Sequence, residues 1–321
     1  MSQARFVHIV DDVPELQGAG DGPVMLTVLD GFLDAGSASA IAVAHLLESS
    51  AGRVVASFEV DEFYDYRARR PPMSFVKDHY SDYEAPRLVV RLMHDDAQAP
   101  YLLLTGPEPD VRWEAFAEAV RAVVEHFEVR LTVSVGSVPM AVPHTRPVQV
   151  TNHATAKRLL IGENPWQAEI RIPSSAQALL ELRLGEWGHD ATGFVAHIPH
   201  YVAQFGYPEA ASAMLRQVGA VTGLEWDTAA LDAAAGERQA EIAVQVADSD
   251  EVRAVVAGLE QQYDAFHRDD SGYGGGPNML ESEDGSLPDA RDLPSGEELG
   301  AQFEQFLAGL DPDHPDRPEE S

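Results

Sequence analysis

The turn after the first apolar run of the chain has the outline of a phosphate-binding loop. Gly31 and Gly36 are separated by four residues, and Ser37 and Ala38 follow. A phosphate loop has lysine directly after the second glycine, to hold the β- and γ-phosphates, and then serine or threonine for magnesium. Because Ser37 takes the lysine position, nucleotide hydrolysis is not expected here. Two interpretations stay open: an anion bound at a helix N-terminus, or a tight turn that needs glycine for its backbone freedom.

Two histidines three residues apart, His197 and His200, suggest a metal site. Zinc would need a third and usually a fourth protein ligand, and none stands at a recognisable spacing. Pro199 between the two histidines also breaks the helical geometry that makes such pairs bind a metal. We therefore predict hydrogen-bonded loop histidines, with no metal and no cofactor.

The usual nucleophiles lack their sequence signatures. The chain has no cysteine, which excludes thiolate catalysis, disulfides and Cys-ligated zinc. It also has no Gly-x-Ser-x-Gly motif, the signature of a nucleophile elbow. Ser137 follows a predicted strand, in the segment Gly136–Met140, where open α/β sheets bind ligands. Nothing in the sequence marks it as activated, so no catalytic residue is predicted and an enzyme is not favoured.

A basic cluster, Arg67, Arg69 and Arg70, lies within a strongly acidic chain. The chain has 22 Lys and Arg against 53 Asp and Glu, a net charge of −31. Guanidinium groups bind carboxylates and phosphates, so the arginines could pair with acids of their own chain or across a subunit interface. Because subunits this acidic would otherwise repel one another, we predict that a homo-oligomer uses Arg67–Arg70 in its interface.

The same charge excludes some classes of partner. Nucleic acids and anionic membrane surfaces would repel the chain over a Debye length. No apolar run approaches the roughly 18 residues that cross a bilayer, and the first residues do not have the pattern of a signal peptide. We expect a cytoplasmic protein that binds neither nucleic acid nor membrane.

The elements that position these residues predict an α/β fold, with a largely parallel sheet flanked by helices and a C-terminal helical hairpin. Short apolar runs typical of buried strands alternate with helical patterns, the clearest of which is an apolar stripe from Trp113 to Phe127. Strands are predicted at 23–29, 53–60, 87–93, 101–105 and 129–135, and helices at 37–47 and 113–127.

The composition divides the chain into six segments. They are an N-terminal extension (1–22), the α/β core (23–226), the helical hairpin (227–268), a disordered acidic linker (269–294), an amphipathic docking helix (295–310) and a disordered tail (311–321). Ser295 and Glu298 form a capping box for the docking helix. Its apolar face is predicted to bind its own core, a neighbouring subunit or a client through Leu299, Phe303, Phe306 and Leu307.

Several segments, in register, resemble the PAC2 (proteasome assembly chaperone 2-like) family of the actinobacterial type. They are Leu29–Gly36, Phe63–Pro71, Gly136–Pro147, His197–Tyr201 and Tyr207–Ala211, and the resemblance extends over residues 23–267. The candidate interface or ligand residues in these segments are Asp30, Gly31, Asp34, Gly36, Arg67, Arg69, Arg70, Gly136, Pro143, His144, Arg146, His197, His200 and Tyr201.

The resemblance implies a fold similar to that of nucleoside phosphorylases and hydrolases, a homo-oligomer (a trimer is favoured), and kinship with chaperones that hold proteasome α-subunits. The expected function is that of a non-catalytic interaction protein, which is proteasome-assembly-chaperone-like or a related protein-binding oligomer. The alternative is a small-molecule-binding enzyme of the phosphorylase/hydrolase-like class, or a carboxylate–amine ligase. Archaeal and eukaryotic chaperones of this kind dock through a C-terminal hydrophobic-Tyr-any motif. The residues Arg317–Ser321 do not match it, so docking by the C-terminus is not expected.

Overall fold

A mixed eight-stranded sheet forms the centre of the fold. The computed structural model describes residues 5–17, 21–31, 33–50, 52–161 and 171–269. The strands are β1 (Val7–Ile9), β2 (Val24–Asp30), β3 (Arg53–Phe58), β4 (Ser74–Val76), β5 (His79–Ser81), β6 (Val89–His94), β7 (Pro100–Pro107), β8 (Leu131–Met140), β9 (Val150–Ala154) and β10 (Ala191–Pro199). β4 and β5 pair only with each other; the other eight form the sheet, in the order β1-β3-β6-β7-β2-β8-β10-β9.

The middle of the sheet is parallel and its edges are antiparallel. β7, β2, β8 and β10 run in one direction, whereas β6, β3 and β1 continue one edge in alternating directions and β9 pairs antiparallel with β10. The predicted α/β fold with a largely parallel, helix-flanked sheet is confirmed. The antiparallel edge follows from the connections: residues 95–99 alone join β6 to β7, and a parallel pair needs a crossover of a dozen or more residues.

Helices cover both faces of the sheet. They are α1 (Ala38–Ser49), α2 (Trp113–His126), α3 (Ala176–Glu186), α4 (Pro208–Thr222), α5 (Ala229–Ala247) and α6 (Asp250–Asp269). α1 and α4 bury their apolar residues in one core, together with Val133 and Val135 of β8. α2 and α3 bury theirs in a second core, on the opposite face.

The central strands are apolar because both of their faces are covered. In β7, Leu102, Leu103 and Leu104 are all fully buried. Leu103 belongs to the core of α1 and α4, and its two neighbours belong to the core of α2 and α3. This alternation explains why the sequence shows a continuous apolar run rather than a period of two.

The predicted helical hairpin corresponds to α5 and α6. Ser249 caps α6, since its Oγ accepts a hydrogen bond from Val252 N–H at 3.3 Å. α5 contributes Leu231 and Ile242 to the core of α1 and α4, and the boundary placed at 226/227 stays a prediction. The acidic linker beyond residue 269, the docking helix and the tail lie outside the described residues. No helix in the described part of the chain has the length and apolarity that crossing a bilayer requires.

Candidate functional site

Four parallel strands end at the same edge of the sheet. β2 ends at Asp30, β7 at Pro107, β8 at Met140 and β10 at Pro199. Open α/β sheets bind ligands at this edge, where neighbouring connections leave in opposite directions. The loops after these strands contain most of the candidate residues. The contacts of these residues therefore show whether the edge has room and free polar groups for a ligand.

The loop that resembles a phosphate loop is closed by its own carboxylate. Asp34 accepts hydrogen bonds from the N–H groups of Ser39 (2.8 Å to Oδ1) and Ala40 (3.0 Å to Oδ2), at the start of α1. A bound anion would need these same N–H groups. Gly36 has a φ of +64° and a Cβ there would lie 2.7 Å from Tyr207 Cβ. The contacts therefore favour the tight-turn interpretation.

The crevice beside β2 is bridged by a side chain of α3. β2 pairs with β8 only as far as Thr27 and Ser134. Beyond that point Gln177 Nε2 donates to Val135 O at 3.1 Å, and its Oε1 accepts from Leu29 N–H at 3.3 Å. Because the protein's own amide occupies these backbone groups, the crevice gives no support to a nucleotide site.

Ser137 and the end of β2 are likewise held by internal contacts. Ser137 Oγ lies 2.8 Å from both Asp34 Oδ1 and Ala35 O. The carbonyl of Asp30 accepts from Glu108 N–H at 2.8 Å, and a Cβ on Gly31 would lie 2.6 Å from Glu108 Cβ. Gly31 is therefore needed for the close approach of two loops.

Arg69 joins three loop segments within one subunit. Its Nη2 lies 2.8 Å from Asp110 Oδ2 and donates to Glu108 O at 2.5 Å, and its Nη1 donates to Asp30 O at 3.4 Å. The guanidinium also stacks over Tyr64, 4.7 Å from the ring centroid. Arg69 thus pairs with its own chain, which is one of the two interpretations of the basic cluster. Arg67 and Arg70 are exposed, and their place in an interface stays a prediction.

His144 and Tyr201 form a buried hydrogen-bonded pair. Tyr201 Oη lies 2.8 Å from the backbone N and 2.7 Å from Nδ1 of His144. The backbone N–H donates to Oη, whose own O–H is free to donate to Nδ1 of a neutral ring. Burial lowers the pKa of His144 and raises the pKa of Tyr201 to about 12. The pair therefore stays uncharged at neutral pH.

The segment that contains His144 anchors the helical hairpin. Gln239 of α5 donates to His144 O at 3.0 Å and to Glu209 Oε2 at 2.6 Å. Arg146 Nη1 lies 3.3 Å from Glu260 Oε1 of α6, and Thr145 Oγ1 donates to the same oxygen. Pro143 beside them is buried. These contacts attach α5, and the part of α6 that contains Glu260, to the loop after β8.

His197 and His200 have different partners. His197 is buried in β10, and its Nε2 lies 2.8 Å from Thr151 Oγ1 of β9, whereas the exposed His200 has Nδ1 3.4 Å from Met140 O. Burial lowers the pKa of His197. Among the described residues, no group of three or more His, Asp or Glu side chains is placed to hold a metal.

An exposed apolar hairpin, β4–β5, follows the basic cluster and was not predicted from the sequence. Phe75 and Tyr80 are 62% and 70% exposed, and their ring centroids are 5.0 Å apart, with the ring planes tilted by 59°. Met73, Val76 and Tyr83 beside them are exposed as well. The sequence did contain a signal: these apolar residues lie in a Pro-flanked segment and do not have the spacing of a helix or strand that packs against a core. We call this surface, residues 73–83, the aromatic hairpin.

The described residues also form two clefts whose linings belong to other segments. One, of about 710 Å³, lies over β3 and is lined by His8, Glu59, Asp61 and Glu62 among others. The other, of about 380 Å³, lies beside the end of α4, near Trp226. Neither contains a predicted site residue.

Comparison with known proteins supports the resemblance to the PAC2 family. The model of the PAC2 family matches residues 28–246, and no curated protein matches. A Mycobacterium tuberculosis protein of unknown function is 44% identical, with a TM-score of 0.77 over 84% of this chain and 94% of its own. A Corynebacterium glutamicum protein of unknown function is 35% identical, with a TM-score of 0.76 over 81% of this chain and 97% of its own. A proteasome-assembly chaperone homologue of M. tuberculosis is 28% identical, with a TM-score of 0.67 over 73% of this chain and 99% of its own.

Proposed function

Because the chain belongs to the PAC2 family, we propose that it is a cytoplasmic protein-binding member of that family. Its subunits assemble with one another and hold a protein client, a function that needs no chemical turnover. The likeness to a proteasome-assembly chaperone homologue supports proteasome subunits as the client class. The bridged crevice at the carboxyl edge supports binding through surfaces rather than through a nucleotide pocket.

The aromatic hairpin is the observation that carries this proposal. An isolated two-stranded hairpin is marginally stable in water, and large exposed apolar patches mark interaction sites. Phe75 and Tyr80 are more than half exposed on such a hairpin. Aromatic side chains of this kind supply much of the binding energy of protein interfaces.

The charge of the segment that contains the aromatic hairpin, counted with its flanking residues, favours a second copy of this chain as the occupant of this surface. Residues 67–87 contain five Arg or Lys and three Asp or Glu, whereas the whole chain has a net charge of −31. Surfaces of opposite electrostatic potential guide the association of two subunits and reduce the repulsion between them. We expect Arg67, Arg70 and the aromatic hairpin of one subunit to contact the acidic surface of the next, in a trimer.

Light scattering of the full chain tests the assembly. Wild type should have three times the subunit mass of 34.8 kDa, and the double variant Phe75→Asp/Tyr80→Asp should shift toward the monomer. Val244→Asp is the matched control, because Val244 is 64% exposed on α5, away from the hairpin, and should leave the mass unchanged. A monomeric wild type, or a double variant of unchanged mass, would remove the hairpin from the interface.

The client is tested separately, with purified proteasome α-subunits from an actinobacterium. Co-elution of wild type with these subunits in size-exclusion chromatography supports the proposed client class. If the chain is oligomeric but elutes apart from them, the assembly stands and the client is another protein.

A further inference from the structure

Ser134 and His153 lie on the same face of the sheet, on either side of a glycine. Ser134 of β8 is opposite Gly193 of β10, and Gly193 is opposite His153 of β9. Directly opposed residues share a face. Val133 and Val135 point into the core of α1 and α4, and side chains alternate along a strand. Ser134 therefore faces the other side, where α3 lies.

Gly193 lets the two side chains approach each other. A Cβ built on Gly193 would lie 2.5 Å from Nε2 of His153 and 2.5 Å from Oγ of Ser134. Oγ of Ser134 and Nε2 of His153 are thus at most about 5 Å apart, and they are not hydrogen-bonded to each other. In structures without substrate, catalytic hydrogen bonds are often long and shorten in the complex.

Glu181 of α3 orients the imidazole. Its Oε1 lies 2.8 Å from Nδ1 of His153, so the Nδ1–H group donates to the carboxylate and Nε2 is the acceptor on the side of Ser134. The side chains of Glu181 and His153 are 16% and 41% exposed, which leaves the base open to solvent on one side. A hydroxyl, an imidazole and a carboxylate in this order are the parts of an activated serine.

We propose that Ser134 is a nucleophile with His153 as its general base and Glu181 as the residue that positions the base, and that the site hydrolyses small carboxylic esters. Ser134 Oγ bonds to the ester carbonyl carbon while its proton passes to Nε2. The bond to the leaving alcohol then breaks, and the alcohol takes that proton. Water attacks the resulting acyl-serine and gives one proton to Nε2. The carboxylic acid departs as Ser134 regains its proton.

The space around Ser134 limits the acyl group. Gly193 has no room for a methyl group, since a Cβ there would overlap His153. Gly136 is two residues beyond Ser134 on the same face, and a Cβ there meets no described atom within 4 Å. The acyl group therefore enters beside Gly136, because the side toward Gly193 is closed.

This site goes beyond the proposed binding function and does not depend on it. The sequence contains no signal for it, because the three residues lie far apart along the chain and Ser134 is not at an elbow. The double variant of the aromatic hairpin should keep the serine chemistry, so the two proposals can fail separately.

Labelling with a fluorophosphonate probe tests the proposal on the full chain. Peptide mapping by mass spectrometry should find the phosphonyl group on Ser134 in wild type. His153→Gln should slow labelling by roughly 10²-fold or more, the usual contribution of a general base. Glu181→Gln should slow it less, and Gly193→Ala should slow it by separating the two groups.

Ser134→Ala should not be labelled, while Ser49→Ala, at an exposed helix end, should be labelled as wild type. Circular dichroism confirms that each variant is folded. If Ser134→Ala does not fold, the peptide map of wild type and the labelling rate of His153→Gln test the proposal instead, since His153 is 41% exposed and its replacement should be tolerated. A wild type without label on Ser134, or a His153→Gln rate equal to that of wild type, would overturn the proposal.

Discussion

Replacing Arg69 by methionine separates the two interpretations of the basic cluster. Arg69 joins Asp110 and the carbonyls of Glu108 and Asp30, and its side chain is 32% exposed. A hydrogen bond that involves a charged group contributes about 1.5–3 kcal/mol when buried, and partial exposure lowers that figure. Counting the two shorter contacts, we expect the free energy of unfolding to fall by about 3 kcal/mol.

Urea unfolding at a fixed protein concentration measures this change. Arg67→Met is the matched control, since Arg67 is exposed in the same turn, and it should change the free energy of unfolding by no more than about 0.5 kcal/mol. A double-mutant cycle with Asp110→Asn should show that Arg69 and Asp110 are coupled. If Arg69→Met leaves stability unchanged but lowers the oligomeric mass, Arg69 acts across an interface and the intrasubunit account is wrong.

Three further changes test the loops at the carboxyl edge. Asp34→Ala removes the acceptor for two N–H groups of α1 and should cost about 1–2 kcal/mol in urea unfolding, whereas Asp34→Asn should cost less. Gly36→Val should destabilise the chain more than Gly206→Ala, because Gly36 has a positive φ and lies against Tyr207 whereas a Cβ on Gly206 makes only ordinary contact; equal effects would contradict this. Burial lowers the folded-state pKa of His197, so the unfolded state binds the proton more tightly. The free energy of unfolding should therefore decrease as pH falls below about 6.5, and a pH series with His197→Gln should show a smaller decrease.

The sequence predicted the elements whose apolar pattern is complete within one segment. The apolar runs of β2 and β7 and the apolar stripe of α2 each indicate a buried element without reference to the rest of the chain. The directions of the edge strands depend on which connections lack a crossover helix. These directions can be predicted only when the order of all strands in the sheet is known. β9 and β10 have mixed polar and apolar residues, because His153 and Asn152 bond to side chains from other elements. No pattern within either strand predicts those hydrogen bonds.

The candidate site was predicted in part, for a similar reason. The glycines and Asp34 mark a turn, and the contacts of Asp34 at the start of α1 favour that interpretation. The role of Gln177 could not be predicted, because it fills a crevice formed by two strands from distant parts of the chain. Arg69 and Arg67 look alike in the sequence and differ only in what lies within reach of each side chain.

The position of β2 at the centre of the sheet also has a consequence for folding kinetics. Leu26 pairs with Leu103 on one side and with Val133 on the other, both far along the chain. The pair β6–β7 and the unit β7–α2–β8 form from residues that are near in sequence, so less entropy is lost on loop closure when they form. We therefore expect β2 to complete the sheet late, by inserting between β7 and β8. Truncations in β2, such as Leu26→Ala, should therefore mainly accelerate unfolding, and truncations in α2, such as Val120→Ala, should mainly slow folding.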